Sequence, residues 1–413
     1  MTEPLRIAYL TSFFARPSDS FIRNEVNELR KLGLEVHTYS IRRPPVTPGE
    51  ESDVDEYQRS TEYLLERGVA QVTLTALKFA VSRPRQFLRA CRLAWHTSAP
   101  GLRGHLRQAA YLVEATCLAS RLQKRKIHLL HNHLGENSAS VAMLAAEVGS
   151  FPFSMTIHGP YIFFAPEKWA LGEKLSRAAF TACISDFCRS QCQMFAPLAA
   201  WDRLQLVRCS VQPLFLDPPS VRTFPSPAHF VCVGRLCSEK GQLLLVDAVQ
   251  QLRDRGCSVR VTLVGDGPLR QEIEGHIQRH QLESSIELFG WQPSRRVRQL
   301  LHESTALVIA SAAEGLPVVA MESLAVGCPV IATNIAAMSE LVQNRVNGWL
   351  IAPGSATSLA DAMLEAARTD SAALQQMGTA GRERVLTHHH PEHQAQQLQQ
   401  LFAAKISQFR DKN

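Results

Sequence analysis

Residues 306–333 read ALVIASAAEGLPVVAMESLAVGCPVIAT, and this one span holds a strand, a loop, a helix and a second strand. ALVIAS is an apolar run of strand length, and Ala312 to Pro317 form its exit loop. Val318 to Val326 read as a helix that Gly327 closes, and PVIAT follows as the next strand. A strand, a crossover helix and another strand make a parallel pair, because a tight hairpin would turn the second strand around. Two carboxylates, Glu314 and Glu322, stand in this apolar window. Desolvating an unpaired charge costs several kcal/mol, so each of them needs a partner.

The same order recurs outward in both directions. Toward the N-terminus of the chain, Ile7 to Leu10 form a first strand, and FIRNEVNELRKLG a helix with the stripe Phe21, Val26, Leu29 and Leu32, stopped at Gly33. LEVHTYSI, KIHLLHNHL, FPFSMTIHG and AAFTACIS are further strands, and SASVAMLAAEVG is a small-residue helix. RRPPVTPGEESDVDE is a polar, Pro-rich loop, and residues 60 to 126 read as helices broken near Pro84 and near Pro100 and Gly101. PLFLDPPSVRTFPSPAH holds five prolines and reads as an interdomain linker. Beyond it FVCVGRL, VRVTLVGDG and IELFGW precede the opening span, and a Gln-rich amphipathic helix runs from His393 to Phe409. The expectation is an α/β protein of two doubly wound, Rossmann-like domains. The first covers residues 1–213, with a helical excursion at 68–126, and the second covers 214–390. Residues 391–413 form a final helix. In such sheets ligands bind beyond the carboxyl ends of the strands, here in a cleft facing both domains.

With 413 residues the chain exceeds one ordinary core, while 45% hydrophobic and 20% charged residues exclude a disordered or fibrous chain. No signal-type region precedes the first strand, and no uncharged apolar run approaches the ~20 residues that cross a bilayer. The expected location is therefore the cytoplasm. Ten cysteines are scattered without a CxxC pair. Cys183, Cys188 and Cys192 are the closest group, and buried thiols are a better reading of them than metal ligands. The net charge of +6 is uneven: residues 68–126 carry eleven Lys/Arg against Glu114 alone. Nucleic acid is excluded as the partner of this block by its few aromatics and missing motifs. In FAVSRPRQFLRACRLAW the cations alternate with apolar residues, which fits an anionic membrane surface and a peripheral place on the inner membrane. An amphipathic surface helix with a solvated Arg face fits it as well.

Three features converge in the second half. VCVGRLCSEKG puts Gly234 and Arg235 at a strand end, with Lys240 five residues on. Glycine admits a ligand close to the backbone, and Arg and Lys offer a fork and a point charge to phosphate oxygens. Taken alone, the two cations read more readily as surface loop charges. Gly265-Asp266-Gly267 lacks the third glycine of a dinucleotide fingerprint, and Pro268 is expected to open a helix there. Third, Glu314 and Glu322 lie near a strand end, where sugar hydroxyls would satisfy them, and Gly315 lets that loop approach.

E-x7-E with GLPVV inside, MESLAVGCPVIAT after it, and GR-x4-K about 80 residues upstream resembles the signature of retaining glycosyltransferase family 4, of the GT-B fold. YLTSFFARPSDSFIRNEVNELRKLGLEVHTYSIRRP, HNHLGENSASVAMLAAEVGSFPFSMTIHG and FTACIS resemble its exopolysaccharide and colanic-acid-type members. The resemblance implies that Arg235 and Lys240, beside Gly234, hold the diphosphate of a nucleotide-sugar, UDP- or GDP-linked. Glu322 would bond the ribose hydroxyls, and Glu314 would lie by the donor sugar with the backbone of Gly315, Leu316 and Pro317. Gly290, Trp291 and Gln292 would hold the base, and His158 would stand close to the reacting sugar. The implied catalytic set is His158, Glu314, Arg235 and Lys240, and the final helix would cross back to the first domain.

What the resemblance implies overall is a hexosyltransferase acting on a lipid-linked glycan acceptor in exopolysaccharide or cell-surface glycan synthesis. It implies no cofactor beyond the donor substrate. No DxD-type metal motif stands in a suitable loop, so no metal is expected. A transferase with a soluble acceptor, or a non-catalytic sugar-nucleotide-binding subunit, is the alternative. Departures from the pattern fall on the acceptor side. Arg16 to Ser20 replace the usual glycine pair, with Ser18 and Ser20 read as caps of the helix at Phe21 more readily than as ligands of acceptor or phosphate. Tyr161 stands for the usual Asp, and Ser210-Val211-Gln212 for Gly-Val-Asp. His131 and His133 flank Asn132 with no acid at useful spacing, so they read as structural. His388 to His390 with His393 read as a solvated turn.

Overall fold

The structure, a computed structural model, describes residues 4–16, 19–44, 52–217 and 222–411. Ser18, residues 45–51 of the Pro-rich loop and residues 218–221 of the linker stretch lie outside the described residues. The chain forms two compact units, Met1–Arg208 with Glu392–Asn413, and Cys209–Pro391.

The first unit is built on seven strands: β1 (Arg6–Phe13), β2 (Glu35–Arg42), β3 (Glu62–Tyr63), β4 (Leu129–His133), β5 (Phe153–Ile157), β6 (Thr181–Cys183) and β7 (Leu204–Leu206). Their order is β3-β2-β1-β4-β5-β6-β7, every pair parallel. The second unit is built on β8 (Ala228–Val233), β9 (Val259–Val264), β10 (Ile286–Gly290), β11 (Ala306–Ile309), β12 (Val330–Thr333) and β13 (Gly348–Ile351), in the order β10-β9-β8-β11-β12-β13, also all parallel. Parallel sheets are covered by crossover helices on both faces, so their central strands bury nearly every side chain, as β4, β5 and β11 do here. The order reverses direction between β1 and β4 in one sheet and between β8 and β11 in the other. Loops on either side of a reversal diverge and leave a crevice, which makes these two places the ligand positions that topology supplies.

Several local expectations are corrected. The helix Ser20–Lys31 is N-capped by Asp19 without a side-chain bond, because Asp19 spends its carboxylate on Arg16, 3.0 Å away. Ser20 is the first helical residue rather than a cap. The helix after β9 starts at Arg270, since Pro268 and Leu269 form a turn first. The Pro-rich stretch is no free linker where it is described: Pro213–Leu216 is a helical turn with Phe215 fully buried. Arg222, 5% exposed, donates Nε to the His302 carbonyl at 3.1 Å and also reaches the carbonyls of Ser304 and Gly327. Nor is His389 solvated. It is buried, with Nδ1 2.8 Å from the Cys209 carbonyl, while its own carbonyl accepts from Val211 N–H.

The last helix, Pro391–Arg410, belongs to the first unit. Leu398, Phe402 and Ile406, on one face at spacings of four, join Ile7, Tyr9, Val26, Leu29 and Phe180 in one apolar core. Phe402 is fully buried and its ring lies 5.7 Å from that of Phe180. Phe402→Ala should cost the first unit about 3–5 kcal/mol, read as a lowered urea midpoint of its unfolding transition.

Candidate active site

In the second unit the loops after β9, β8 and β11 leave the sheet side by side, with the reversal point between β8 and β11. Two glycines let them press together. Gly265, at φ +132°, could not carry a Cβ, which would stand 2.0 Å from the Gly234 carbonyl oxygen. Gly241, at φ +67°, opens the helix Gln242–Asp254, and a Cβ there would meet the Ala310 carbonyl at 2.1 Å. Backbone bonds close the contact: Gly234 N–H donates to Val264 at 2.9 Å, Gly265 N–H to Gly290 at 2.8 Å, and Ala312 N–H to Glu239 at 2.8 Å.

Side chains converge on this frame. Lys240 Nζ lies 2.5 Å from Glu314 Oε1, and the Ser311 hydroxyl donates to the same oxygen at 2.7 Å. Thr333 Oγ1 donates to the Ser311 carbonyl at 2.6 Å and so anchors that loop to the end of β12. The Glu314 side chain is only 9% exposed; Lys240, at 28%, keeps part of its charge open, with its stem against Gly234. Arg235 behaves differently. Its side chain is 63% exposed and its Nη2 lies 2.6 Å from Glu239 Oε1. Gly315 accepts from Ala337 N–H at 3.3 Å, Leu316 is buried, and Pro317 caps the helix Val318–Ala325, whose second turn carries the buried Glu322. Gly290 ends β10, Trp291 is 37% exposed, and Gln292 Nε2 donates to the Phe289 carbonyl at 2.9 Å. The structure thus brings Gly234, Lys240, Glu314 and Gly290 onto one hydrogen-bonded frame, and sets Arg235 on its exposed edge. Glu239 and Ser311, which hold this frame, were not read from the sequence.

His158 lies in the first unit, after β5, half-buried. It is not alone. His133 Nδ1 is 3.0 Å from His158 Nε2, and His133 Nε2 is 3.0 Å from Glu25 Oε1, which also accepts from Tyr9 O–H at 2.6 Å. The reading that no acid serves these histidines is therefore corrected: Glu25 comes from the helix Ser20–Lys31, 108 residues before His133. The signal was present, since Glu25 interrupts the apolar face of Ile22, Val26 and Leu29. His131 is satisfied separately, by the hydroxyls of Ser154 at 2.7 Å and Thr156 at 2.9 Å. The loop after β4 is fixed by the buried Lys174, whose ammonium donates to the carbonyls of Gly135 and Glu136 at 2.7 and 2.8 Å, and whose pKa burial pulls down to about 7.

Burial favours the neutral acid at Glu25, yet the bonds and charge of His133, with the Tyr9 hydroxyl, hold its carboxyl below the usual range. An ionised Glu25 only accepts, so His133 Nε2 carries a proton toward it. His133 Nδ1 and His158 Nε2 share one hydrogen bond, in which one ring donates and the other accepts. Burial, reinforced by His133, pulls the His158 pKa down to about 3. Among the described residues, three groups have the composition to hold a metal: Glu25 with His131 and His133, Cys183 with Cys188 and Cys192, and Asp247 with His276 and His280. Both ring nitrogens of His131 and of His133 already have protein partners, and Cys188 donates Sγ–H to the Ile157 carbonyl at 3.3 Å.

Residues 217–384 match the family described as glycosyl transferases group 1. That span contains the whole frame from Gly234 to Glu322. WcaL of Salmonella typhimurium, assigned as a colanic acid biosynthesis glycosyltransferase, is 31% identical over 190 residues, 45% of this chain and 47% of its own. The match thus spans about half the length of that relative. TuaC of Bacillus subtilis, assigned as a teichuronic acid biosynthesis glycosyltransferase, is 27% identical over 87% of this chain and 88% of its own. Among solved structures, Anabaena HepE in complex with UDP-glucose superposes with a TM-score of 0.73 at 16% identity, over 97% of this chain and 100% of that one. Sucrose-phosphate synthase from Thermosynechococcus elongatus reaches the same TM-score at 19% identity, over 98% and 99%. The fold is that of the GT-B glycosyltransferases, two Rossmann-like units with parallel sheets.

The first unit yields a pH prediction. His158 keeps a folded pKa of about 3 and His131 one well below its ordinary value, so between there and the unfolded value of about 6.5 the unfolded chain binds more protons. Stability therefore falls as pH drops from 6.5, by an order of 1–2 kcal/mol for His158 alone between pH 7 and pH 5. His158→Asn should flatten that part of the urea-midpoint profile, and nitrogen NMR of the parent protein should find the His158 ring neutral through this pH range. A His158 that titrates near pH 6.5 would contradict both.

Proposed function

We propose that this protein is a retaining hexosyltransferase that carries a sugar from a UDP- or GDP-sugar to a lipid-linked glycan in exopolysaccharide or cell-surface polysaccharide synthesis. The observation that carries the reading is the Lys240–Glu314 pair, held at 2.5 Å at the reversal point of a sheet whose chain matches glycosyl transferases group 1. A diphosphate there meets one ammonium fixed by a buried carboxylate and one guanidinium, that of Arg235, on an exposed edge. Glu314 and Glu322 offer acceptors to sugar and ribose hydroxyls, and Gly290 to Gln292 stand at the exit of β10, two strands from β8, where a base would lie. The assignments of WcaL to colanic acid and of TuaC to teichuronic acid synthesis support a polymer acceptor, and the UDP-glucose bound to HepE supports the donor class.

In this reading the bond from the anomeric carbon to the phosphate oxygen breaks as positive charge builds on the sugar. Lys240 and Arg235 stabilise the negative charge that grows on the diphosphate. The acceptor oxygen attacks from the same face and passes its proton to the departing phosphate, so the configuration is retained and no protein base is consumed. His158, held by His133, exchanges a hydrogen bond with a sugar hydroxyl. The chemistry proceeds without a metal.

Lys240→Ala should lower kcat/KM for transfer by about 10²–10³, the range for losing one preorganised charge donor. Glu322→Ala should weaken nucleotide-sugar binding in calorimetry, His158→Asn should lower turnover while leaving that binding intact, and EDTA should leave transfer unchanged. Binding without any turnover across donors would instead mark a non-catalytic sugar-nucleotide subunit. Full activity of the Lys240 variant would remove the proposed site.

A further inference from the structure

We infer that the outward face of the helices Val69–Ser82, Pro84–His96 and Leu102–Lys124 docks on an anionic lipid bilayer, its apolar side chains entering the interface and its arginines meeting headgroup phosphates. The inference deepens the proposed function, resting on it only for the lipid nature of the acceptor.

Isolated exposed apolar residues are ordinary, but contiguous patches mark interaction surfaces. Of the fifteen large apolar side chains exposed among the described residues, seven fall on these three helices: Leu74, Leu77, Val81, Leu88, Trp95, Leu102 and Leu106. On each helix their spacing puts them along one side. Leu74, Leu77 and Val81 follow one helical stripe, and Arg85, Leu88, Arg92 and Trp95 follow another. The Trp95 ring stacks on His105 at 4.2 Å, which joins the second stripe to the start of the third helix, where Leu102 and Leu106 stand. Trp95 is still 70% exposed.

The core does not account for this face, because each helix fills its inward side with other residues. Val72, Ala76 and Phe79 are buried on the first, Ala90, Leu93 and Ala94 on the second, and Gln108 and Leu112 on the third. A solvated Arg face, the bland reading of the sequence, would leave the outward side polar. It is apolar and cationic at once. Arg89 is held by Glu147 at 3.0 Å, whereas Lys78, Arg85, Arg92 and Arg103 pair with no carboxylate among the described residues. A surface of exposed leucines and a tryptophan among unpaired cations is complementary to acyl chains beneath anionic headgroups, and protein interfaces are depleted of charge where they are most buried. No helix among the described residues is long and apolar enough to cross a membrane, so contact would be with one leaflet.

The test uses the full chain and sedimentation with vesicles of phosphatidylcholine, alone or mixed with phosphatidylglycerol. Binding should require the anionic lipid and weaken at high salt. Arg85→Glu with Arg92→Glu should lower the partition coefficient at least about thirty-fold, since each cation near the surface is worth about 1 kcal/mol. Leu88→Ser with Trp95→Ser should lower it too, and should do so at any salt. All four positions are exposed, so an unchanged melting temperature will show that the variants fold. Equal binding to phosphatidylcholine alone, or indifference to both variants, overturns the inference. So does a wild-type dimer on gel filtration that the Leu88 and Trp95 changes dissociate, because the face would then pair two copies. Nucleotide-sugar calorimetry on the same preparations separates the two readings: vesicle binding without nucleotide binding sinks the transferase and leaves the surface standing.

Discussion

One ion pair organises the second unit: the ammonium of Lys240 against the carboxylate of Glu314. Neither charge would be tolerated there alone. Glu314 sits in an apolar loop with its side chain almost wholly covered, and an unpaired carboxylate so placed would be costly. The pair contributes position more than stability, since the desolvation of its two members offsets much of their attraction. The surrounding bonds follow from that requirement. Ser311 gives Glu314 a second donor, Thr333 fixes Ser311, and the Glu239 carbonyl draws the two loops together through Ala312. Gly265 and Gly241 stand where any side chain would force the loops apart. A cation aimed and half-open in this way needs no reorganisation when an anion arrives, which is the property that electrostatic catalysis requires.

The two units share one plan and use it with different chemistry. Each is a parallel sheet that reverses order beside its central strand, and each gathers polar side chains at that reversal. In the second unit these are ions on loops. In the first they are histidines on the strand itself, since β4 reads LLHNH and is buried throughout. Charged imidazoles could not occupy that strand without counter-charges. Hydroxyls on β5 neutralise the problem at His131, and Glu25 with Tyr9 does so at His133. The result is a hydrogen-bonded relay from Tyr9 and Glu25 through His133 to His158, in contrast to the pinned ions of the second unit. In the proposed transferase this division would set an alcohol at one unit and a diphosphate at the other.

Much of this was legible in the residues, and the gaps have physical causes. The long apolar runs, RIAYL, FVCV, VTLV and VIAT, announced strands because turn residues bound them. β3 and β7 hold two and three residues, too few for any period to show. The Pro-rich stretch looked like a linker because proline counts say nothing of Arg222, whose guanidinium gathers carbonyls from residues about 80 and 105 positions away. Lys240 and Glu314 were found by residue type and spacing. Their contact, across 74 residues, was not deducible from spacing alone. Glu25 escaped for the same reason, although an acid in an apolar helical stripe is a local sign that a distant base awaits it.

Arg235 completes the logic by its contrast with Lys240. Both follow β8, five residues apart, but they are held in opposite ways. Lys240 is pinned to a carboxylate in a covered loop, whereas Arg235 leans on Glu239 from an exposed edge. An exposed pair of this kind is worth at most about 1 kcal/mol, so its fork is free to exchange Glu239 for a phosphate at little cost. A guanidinium offers two parallel donors to that phosphate, and an ammonium offers a point charge. In the proposed transferase, a fixed charge beside a releasable fork would receive a diphosphate without first breaking the supports of the frame. Glu239 keeps its backbone bond to Ala312 whichever partner its side chain has, so the loops stay joined while the arginine moves.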